Sequence, residues 1–276
     1  MSVNEKMTAI ADAIRDKTGG TEPLGLDDMV TEIPRVYEAG QQYTSDEFWN
    51  IITTHGTRAS YQGAFCHWDV DYIRPTVGGQ PLKIQPTSSG SANQTFSHNL
   101  SLKAIESKYF DFSKIQNGVS SANSFGYYYT WYNCRTLVEV QDIGIGKEIY
   151  LPAYVYTWAN CYELKYIRGM KFDENTKFDN VFTNCNALEE LVINEGSIIG
   201  QSGFNLKSSK KLSKTSIENV FEVLSTETTG LSITLSRTAV NNAFGINVSD
   251  TTTYPEGSEY YNLLNSRSNW TINYNI

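Results

Sequence analysis

Apolar residues near the start of the chain recur every three or four positions, which is the spacing of one face of an α-helix. A first predicted helix carries Met7, Ile10 and Ile14 on this face, and a second carries Met29 and Ile33. Helices this short do not bury an apolar face by themselves. We therefore expect residues 1–43 to form a helical docking segment that packs either on another domain of this chain or on a partner subunit.

Residues 44–95 are predicted to connect this segment to the rest of the chain. Thr44 and Glu47 have the spacing of a capping box that opens a third helix, and Gly56 is placed to end it. Glycine, proline and serine are frequent in the residues that follow, with a linker-like run at Ser88–Ser91. We expect a connecting helix followed by extended structure and loops.

A motif in the middle of the chain consists of an aromatic residue followed by x-Asn-Cys-x-x-Leu-x-x and an apolar residue. Its successive cysteines lie 27 and 24 positions apart. The shared positions of the three copies are Asn133, Cys134, Leu137, Asn160, Cys161, Leu164, Asn184, Cys185 and Leu188. A weaker first copy begins at Phe96; in this reading it is one residue shorter, with Leu100 in place of the cysteine.

Repeat lengths in the twenties are typical of leucine-rich repeats, in which each coil pairs a short strand with a turn or helical segment. The aromatic, cysteine and leucine side chains would point inward, and the asparagine would hydrogen-bond backbone in the turn. We therefore predict a small leucine-rich-repeat β-solenoid over residues 96–206. Its cysteines are interpreted as buried apolar thiols, and not as metal ligands.

The C-terminal region alternates between helical and strand patterns. An apolar stripe that includes Ile217 and Phe221 predicts a helix opened by Thr215, and residues 231–235 alternate as a half-buried strand. Two short helices near residues 239–244 and 260–264 and a closing strand at 270–274 follow. Residues 207–276 are therefore predicted to cap the solenoid with a mixed α/β module. The predicted fold class of the whole chain is α+β.

Composition narrows the range of functions. The chain has 276 residues, a formal net charge of −8 and 19% charged residues. This acidic balance argues against general binding to nucleic acids or to anionic membranes. The sequence contains no run of 18 apolar residues that would predict a membrane span, and its N-terminus lacks the pattern of a signal peptide.

The aromatic content of 13% is the unusual feature, and tyrosine dominates it with 18 residues. Tyr127 and Tyr129 lead into the first clear repeat, and Tyr154 and Tyr156 lead into the second. Alternate residues of an extended stretch face outward. Some of these four tyrosines are therefore candidates for an exposed aromatic strip that binds a sugar or a protein. The alternative is that they pack in the core or under a neighbouring subunit.

No familiar catalytic motif is present. Gly144-Ile145-Gly146-Lys147 lacks the other residues of a phosphate-binding loop, and the four cysteines and three histidines do not have zinc-binding spacing. We expect no catalytic residues, no metal and no cofactor, and a protein that is not an enzyme. A carboxylate pair for glycoside cleavage, which only the fold could bring together, stays open.

The repeats resemble those of BspA-like leucine-rich proteins. The segments from Met7 to Gly20 and from Leu24 to Ile33 resemble the leader of tail-region structural proteins of phages that infect Gram-positive bacteria, and Phe48–Phe65 is similar to a segment that precedes such repeats in phage proteins. The resemblance implies a virion protein, assembled in the host cytoplasm, that acts as a tail appendage or receptor-binding subunit.

The implied partners are other virion proteins, contacted through the N-terminal helices, and a host surface glycan or protein. A homo-oligomer, dimer or trimer, is also expected. The alternatives are a capsid head fibre or decoration protein without a receptor role, and a leucine-rich-repeat interaction protein of the host cell surface.

Overall fold

The computed structural model describes residues 65–67, 70–74, 76–77, 80–81, 83–85, 92–113, 127–146, 153–248 and 254–275. The predicted docking residues Met7, Ile10, Ile14, Met29 and Ile33, and the predicted helix after Thr44, lie outside these ranges. The chain divides into two compact units. One contains the described residues 74, 76–77 and 80–81, and the other contains all the rest.

The first unit contributes a two-stranded antiparallel ribbon, β1 (Thr76–Val77) and β2 (Gln80–Pro81). The described strands of the second unit are β3 (Ala104–Ile105), β4 (Glu139–Val140), β5 (Ala153–Val155), β6 (Tyr166–Met170), β7 (Lys177–Asp179), β8 (Glu190–Ile193), β9 (Leu231–Leu235) and β10 (Trp270–Tyr274). Its described helices are α1 (Lys214–Glu222), α2 (Arg237–Phe244) and α3 (Glu259–Asn265). None of these helices is long and apolar enough to cross a membrane.

The strands of the second unit form small parallel sheets. β3, β4, β6 and β8 lie side by side in that order, β5 pairs with β7, and β9 pairs with β10. In the four-stranded sheet, Ile105, Val140, Ile167 and Leu191 occupy equivalent positions and are all buried. The register of β6 shifts next to Gly169 (φ 80°), where an added Cβ would lie 2.2 Å from a carboxylate oxygen of Asp142.

The predicted α+β class and the leucine-rich-repeat solenoid are wrong. The described residues form a mainly β structure, with three short helices and several small parallel sheets. The prediction allowed a turn or a helical segment beside each strand, but the described repeats contain no helix and their strands divide among separate small sheets. Here the residues between the aromatic position and the leucine form consecutive tight turns, and the strands that follow are only two to five residues long.

Four equivalent stretches, which we call the turn segments, comprise residues 92–99, 127–134, 154–161 and 178–185. Each contains two residues in the left-handed conformation, four positions apart, with φ between 52° and 65°. These pairs are Gln94 and His98, Tyr129 and Asn133, Tyr156 and Asn160, and Asn180 and Asn184. Asparagine tolerates this conformation better than most residues do, which accounts for its place in the motif.

The aromatic positions of the motif stack on one another from one turn segment to the next. Ring centroids lie 5.3 Å apart from Phe65 to Phe96, 5.9 Å to Trp131, 5.2 Å to Trp158 and 5.7 Å to Phe182, with interplanar angles of 12° or less. We call these five buried rings the aromatic stack. Phe204 ends it by meeting Phe182 edge-on at 74°.

Backbone hydrogen bonds join the turn segments beside these rings. Trp131 N–H donates to the carbonyl of Thr157 at 2.9 Å, and Trp158 N–H donates to that of Val181 at 3.1 Å. The residues two positions before and two positions after each ring also donate their N–H groups to the next segment. Three such bonds therefore join the second segment to the third, and three join the third to the fourth. The turns therefore satisfy their backbone groups across the repeat, as strands do in a sheet.

The repeated cysteines and threonines add side-chain bonds between segments. The thiols of Cys134, Cys161 and Cys185 lie 2.9, 3.0 and 3.1 Å from the carbonyl oxygens of Phe96, Trp131 and Trp158. Thr130 and Thr157 donate to the carbonyls of Ala92 and Tyr127 at 2.8 and 2.7 Å. Burial raises the pKa of Cys134 and Cys185 to about 12, so these thiols stay protonated and act as donors.

The first turn segment corrects the alignment of the weak copy. Asn99, and not Leu100, occupies the cysteine position, because it is buried three residues before Leu102, while Leu100 is exposed. The side chain of Asn99 accepts a hydrogen bond from Leu102 N–H at 3.2 Å. The copy is therefore not shorter than the others.

The role expected for the motif asparagines also differs. Their side-chain bonds join Asn184 to Asn160 at 2.8 Å and Asn133 to Arg135 at 2.9 Å, and do not cap the turn backbone. Their place in the motif follows from backbone conformation.

The C-terminal elements agree closely with their sequence patterns. The two predicted strands match β9 and β10, and the three predicted helices match α1, α2 and α3. One detail differs, because the helix cap of α1 is Ser213, whose side chain accepts a hydrogen bond from Ser216 N–H, and not Thr215.

The aromatic stack predicts a large stability cost when one ring is removed. Trp158→Ala should lower the free energy of unfolding by about 3–5 kcal/mol in urea titrations, because it opens a cavity between two stacked rings. Trp158→Phe should cost much less, since phenylalanine stands at equivalent positions and the Trp158 indole N–H is buried without a partner. Tyr162→Ala, at a 40% exposed position, is the control. A Trp158→Ala cost no greater than the control's would contradict the assigned role of the stack.

Candidate functional site

The structure separates the four tyrosines of the predicted strip into two pairs. Tyr127 and Tyr154 are fully buried and stack on each other at 5.1 Å. Tyr154 donates its hydroxyl to the carbonyl of Lys171 at 2.8 Å, and the hydroxyl of Tyr127 accepts from Gly146 N–H at 3.0 Å. These two residues belong to the core and cannot contact a ligand from solvent.

Tyr129 and Tyr156 lie on the outside of the turn segments, where both are half-buried. Their rings stack face to face with centroids 4.9 Å apart and an interplanar angle of 10°. Both residues have left-handed backbone, which turns their side chains away from the buried Tyr127 and Tyr154. The structure therefore keeps two of the four candidates at the surface.

Two further tyrosines join this pair. Tyr128 contacts Tyr129 edge to face at 4.3 Å, and Tyr132 contacts Tyr129 at 4.8 Å and Tyr156 at 6.2 Å, in both cases close to perpendicular. We call Tyr128, Tyr129, Tyr132 and Tyr156 the tyrosine cluster. Burial, together with the neighbouring tyrosines, raises the pKa of Tyr129 to about 12, so its hydroxyl is neutral at physiological pH.

Tyr128 and Tyr132 were not predicted from sequence, because the stretch was interpreted as an extended strand. The repeat carries no signal for them, since the equivalent residues one repeat on are Val155 and Ala159.

Two histidines extend the cluster along the same row of turns. His67 and His98 stack at 4.9 Å, and His98 contacts Tyr132 edge to face at 5.3 Å. The pKa of His98 is lowered, first by burial and then by the nearby charges of His67 and Arg135. His98 Nδ1 also lies 2.8 Å from the hydroxyl of Ser97.

Polar groups lie next to the rings. The Asn184 amide donates to Asn160, and the Arg135 guanidinium donates to Asn133. Asn133, Asn160 and Asn184 are half-buried, and Arg135 is exposed. The surface thus combines aromatic rings with amide and guanidinium groups that can hydrogen-bond a ligand.

A groove of about 530 Å³ elsewhere in the second unit is another candidate site for a ligand. Its lining includes Lys83, Asp111, Asp142, Lys171 and Glu195. Burial acts to raise the pKa of Asp111, but hydrogen bonds from Ser113 and Gln85 and the charge of Lys83 outweigh it, so this pKa is lowered. A general acid for glycoside cleavage needs the opposite shift. No group of three or more His, Cys, Asp or Glu side chains within the described ranges could hold a metal ion.

The lowered pKa of His98 predicts acid sensitivity. The unfolded chain, with an ordinary histidine pKa of about 6.5, binds a proton more readily than the folded chain does. The free energy of unfolding contributed by this residue should therefore fall as pH drops through 6.5 and level off below the folded-state pKa. His98→Asn, which supplies the residue found at the equivalent positions, should show a smaller drop in Tm between pH 7.5 and pH 5. Identical pH profiles for the two proteins would contradict the assignment.

No family model matches this chain, and neither a curated protein nor a solved structure does. Function is therefore inferred from the residues of this chain and their geometry.

Proposed function

We propose that this protein is a non-enzymatic virion structural protein, a tail appendage or receptor-binding subunit, that attaches a phage particle to a glycan or protein of the host surface. The observation that carries the binding role is the tyrosine cluster. The phage assignment is supported by the sequence resemblance of the N-terminal segment and of the residues before the repeats.

The tyrosine cluster suits recognition because its rings are held in place before a ligand arrives. Tyr129 and Tyr156 each have left-handed backbone whose N–H groups donate to the next turn segment, at 3.0 and 2.8 Å. Tyrosine loses little conformational entropy on binding, and it offers apolar area together with a hydroxyl group. A ligand therefore meets a surface that needs little ordering.

Ring geometry indicates which tyrosine contributes most. Tyr129 and Tyr156 turn one face toward each other, which leaves less of each ring for a ligand. Tyr132 is rotated by 73° from Tyr129 and by 83° from Tyr156, and it lies between them and His98. Tyr132 is thus the centre of the aromatic surface, and we expect it to make the main ring contact.

The polar residues beside the rings favour a sugar over an apolar ligand. A pyranose has a C–H face that packs on an aromatic ring and hydroxyl groups at its edge that need donors and acceptors. Asn133 directly follows Tyr132 in the chain, Arg135 hydrogen-bonds Asn133, and Asn160 holds the equivalent position one repeat further on, so all three can supply such groups near the rings. Among the host molecules considered, a surface glycan is therefore the ligand that this chemistry fits best.

An array of purified Gram-positive wall polysaccharides, teichoic acids and peptidoglycan fragments tests the binding role with the full chain. We expect at least one glycan to be retained, and Tyr132→Ala to weaken its binding about tenfold or more, because it removes the central ring. Tyr261→Ala, at a half-buried tyrosine on α3, is the matched control and should bind like wild type. Unchanged binding by Tyr132→Ala, with Tm preserved, would remove the cluster from the binding surface. Retention of no glycan would count against the glycan assignment.

A further inference from the structure

The strand β10 lies at the outside of its sheet. One side of β9 is covered by residues 204–206, since Thr234 N–H donates to Phe204 and Leu206 N–H donates to Thr234, at 3.1 and 2.8 Å. The other side of β9 pairs with β10 over five residues in unbroken parallel register. Within the part of the chain that the structure describes, no second strand pairs with β10.

The direction of the backbone groups of β10 follows from one hydrogen bond. Asn275 N–H donates to Leu235 C=O at 3.4 Å, toward β9. Alternate residues of a strand direct both backbone groups to the same side. Thr271 and Asn273 therefore bond β9 as well, while Ile272 and Tyr274 direct their N–H and C=O groups to the open side. Trp270 also directs its C=O there, but its N–H donates to Arg267 at 2.9 Å.

The open edge lacks the usual protection against pairing. Proteins guard exposed edges with charged residues, proline, bulges or very short strands. Residues 268–276 contain no charged residue, no proline and no glycine. The nearest preceding charge, Arg267, directs its guanidinium inward to the carbonyls of Leu224 and Glu222 at 3.0 and 2.9 Å. The edge is thus free to accept another strand.

The sequence of β10 is complementary to itself about its middle residue. In an antiparallel pair centred on Ile272, this residue lies opposite its own copy, Trp270 lies opposite Tyr274, and Thr271 lies opposite Asn273. The open-side groups then match, because each Ile272 N–H meets the Ile272 carbonyl of the other copy and each Tyr274 N–H meets a Trp270 carbonyl. The pair would have four main-chain hydrogen bonds and no unmatched donor at its centre.

We propose that two copies of this chain form a dimer by antiparallel pairing of their β10 strands across a two-fold axis at Ile272. The pairing joins the two β9–β10 sheets into one four-stranded sheet. It is an isologous contact, in which the same surface serves both copies. With a net charge of −8 per copy, an uncharged edge is also a place where two chains meet without like charges face to face.

Paired charge variants test this register. The side chains of Thr271 and Asn273 are exposed, so charges there should leave the monomer fold intact. In the double variant Thr271→Lys/Asn273→Lys, a lysine faces a lysine twice across the interface, at the close spacing of a non-hydrogen-bonded pair. In Thr271→Lys/Asn273→Glu, a lysine faces a glutamate twice.

Sedimentation equilibrium of the full chain measures the mass of each variant in solution, and Tm serves as the folding control. We expect twice the 31.0 kDa chain mass for wild type and for the opposite-charge variant, and the single-chain mass for the like-charge variant at the same concentration. A wild type that stays monomeric at a chain concentration of about 100 µM would overturn the proposal. Its dissociation constant would then be weaker than about 100 µM, between the micromolar and millimolar reference values. A trimer, or a dimer that the like-charge variant leaves unchanged, would also overturn it.

Discussion

Ring stacking at the spacing of one repeat is the constraint on which the rest of this structure depends. Trp131 and Trp158 lie almost parallel, 5.2 Å apart, and each continues the stack on its other side. This distance is close to the separation of neighbouring strands, so the same step that stacks the rings brings backbone donors and acceptors together. The turn segments can therefore bond to each other as strands would, and the cysteine and threonine side chains complete the bonding.

The stack also determines where the tyrosines go. Tyr127 and Tyr154 form a second buried column next to it, and Tyr129 and Tyr156 form an outer pair. The left-handed residues separate the buried tyrosines from the outer pair. The reversed backbone at Tyr129 and Tyr156 directs neighbouring side chains to opposite sides. The surface that we propose binds a glycan and the core that holds the fold are thus built from adjacent residues of one motif.

The inward positions of the motif and the C-terminal elements could be predicted from sequence, for different reasons. Cys134 and Leu137 have apolar counterparts in the two copies that follow, and α1 and β9 follow ordinary helical and alternating patterns. The departure from a leucine-rich-repeat solenoid and the exposure of the tyrosines could not be predicted, because both depend on positive φ values at residues such as Tyr129. Tyrosine carries no local signal for this conformation. It follows from the bonds to the next repeat.

The proposed attachment role and the proposed β10 pairing use different surfaces, so each stands without the other. The tyrosine cluster offers fixed side chains, while β10 offers unpaired backbone groups. An attachment protein gains from pairing, because two copies held together bind a repetitive surface more tightly than one does.

Immunogold electron microscopy of intact particles, with an antibody raised against residues 96–276, tests the central claim most directly. We expect gold at the tail tip, where an attachment protein contacts the host. Gold confined to the capsid would contradict the tail assignment in favour of a head fibre. Particles that carry no label would contradict the virion assignment itself.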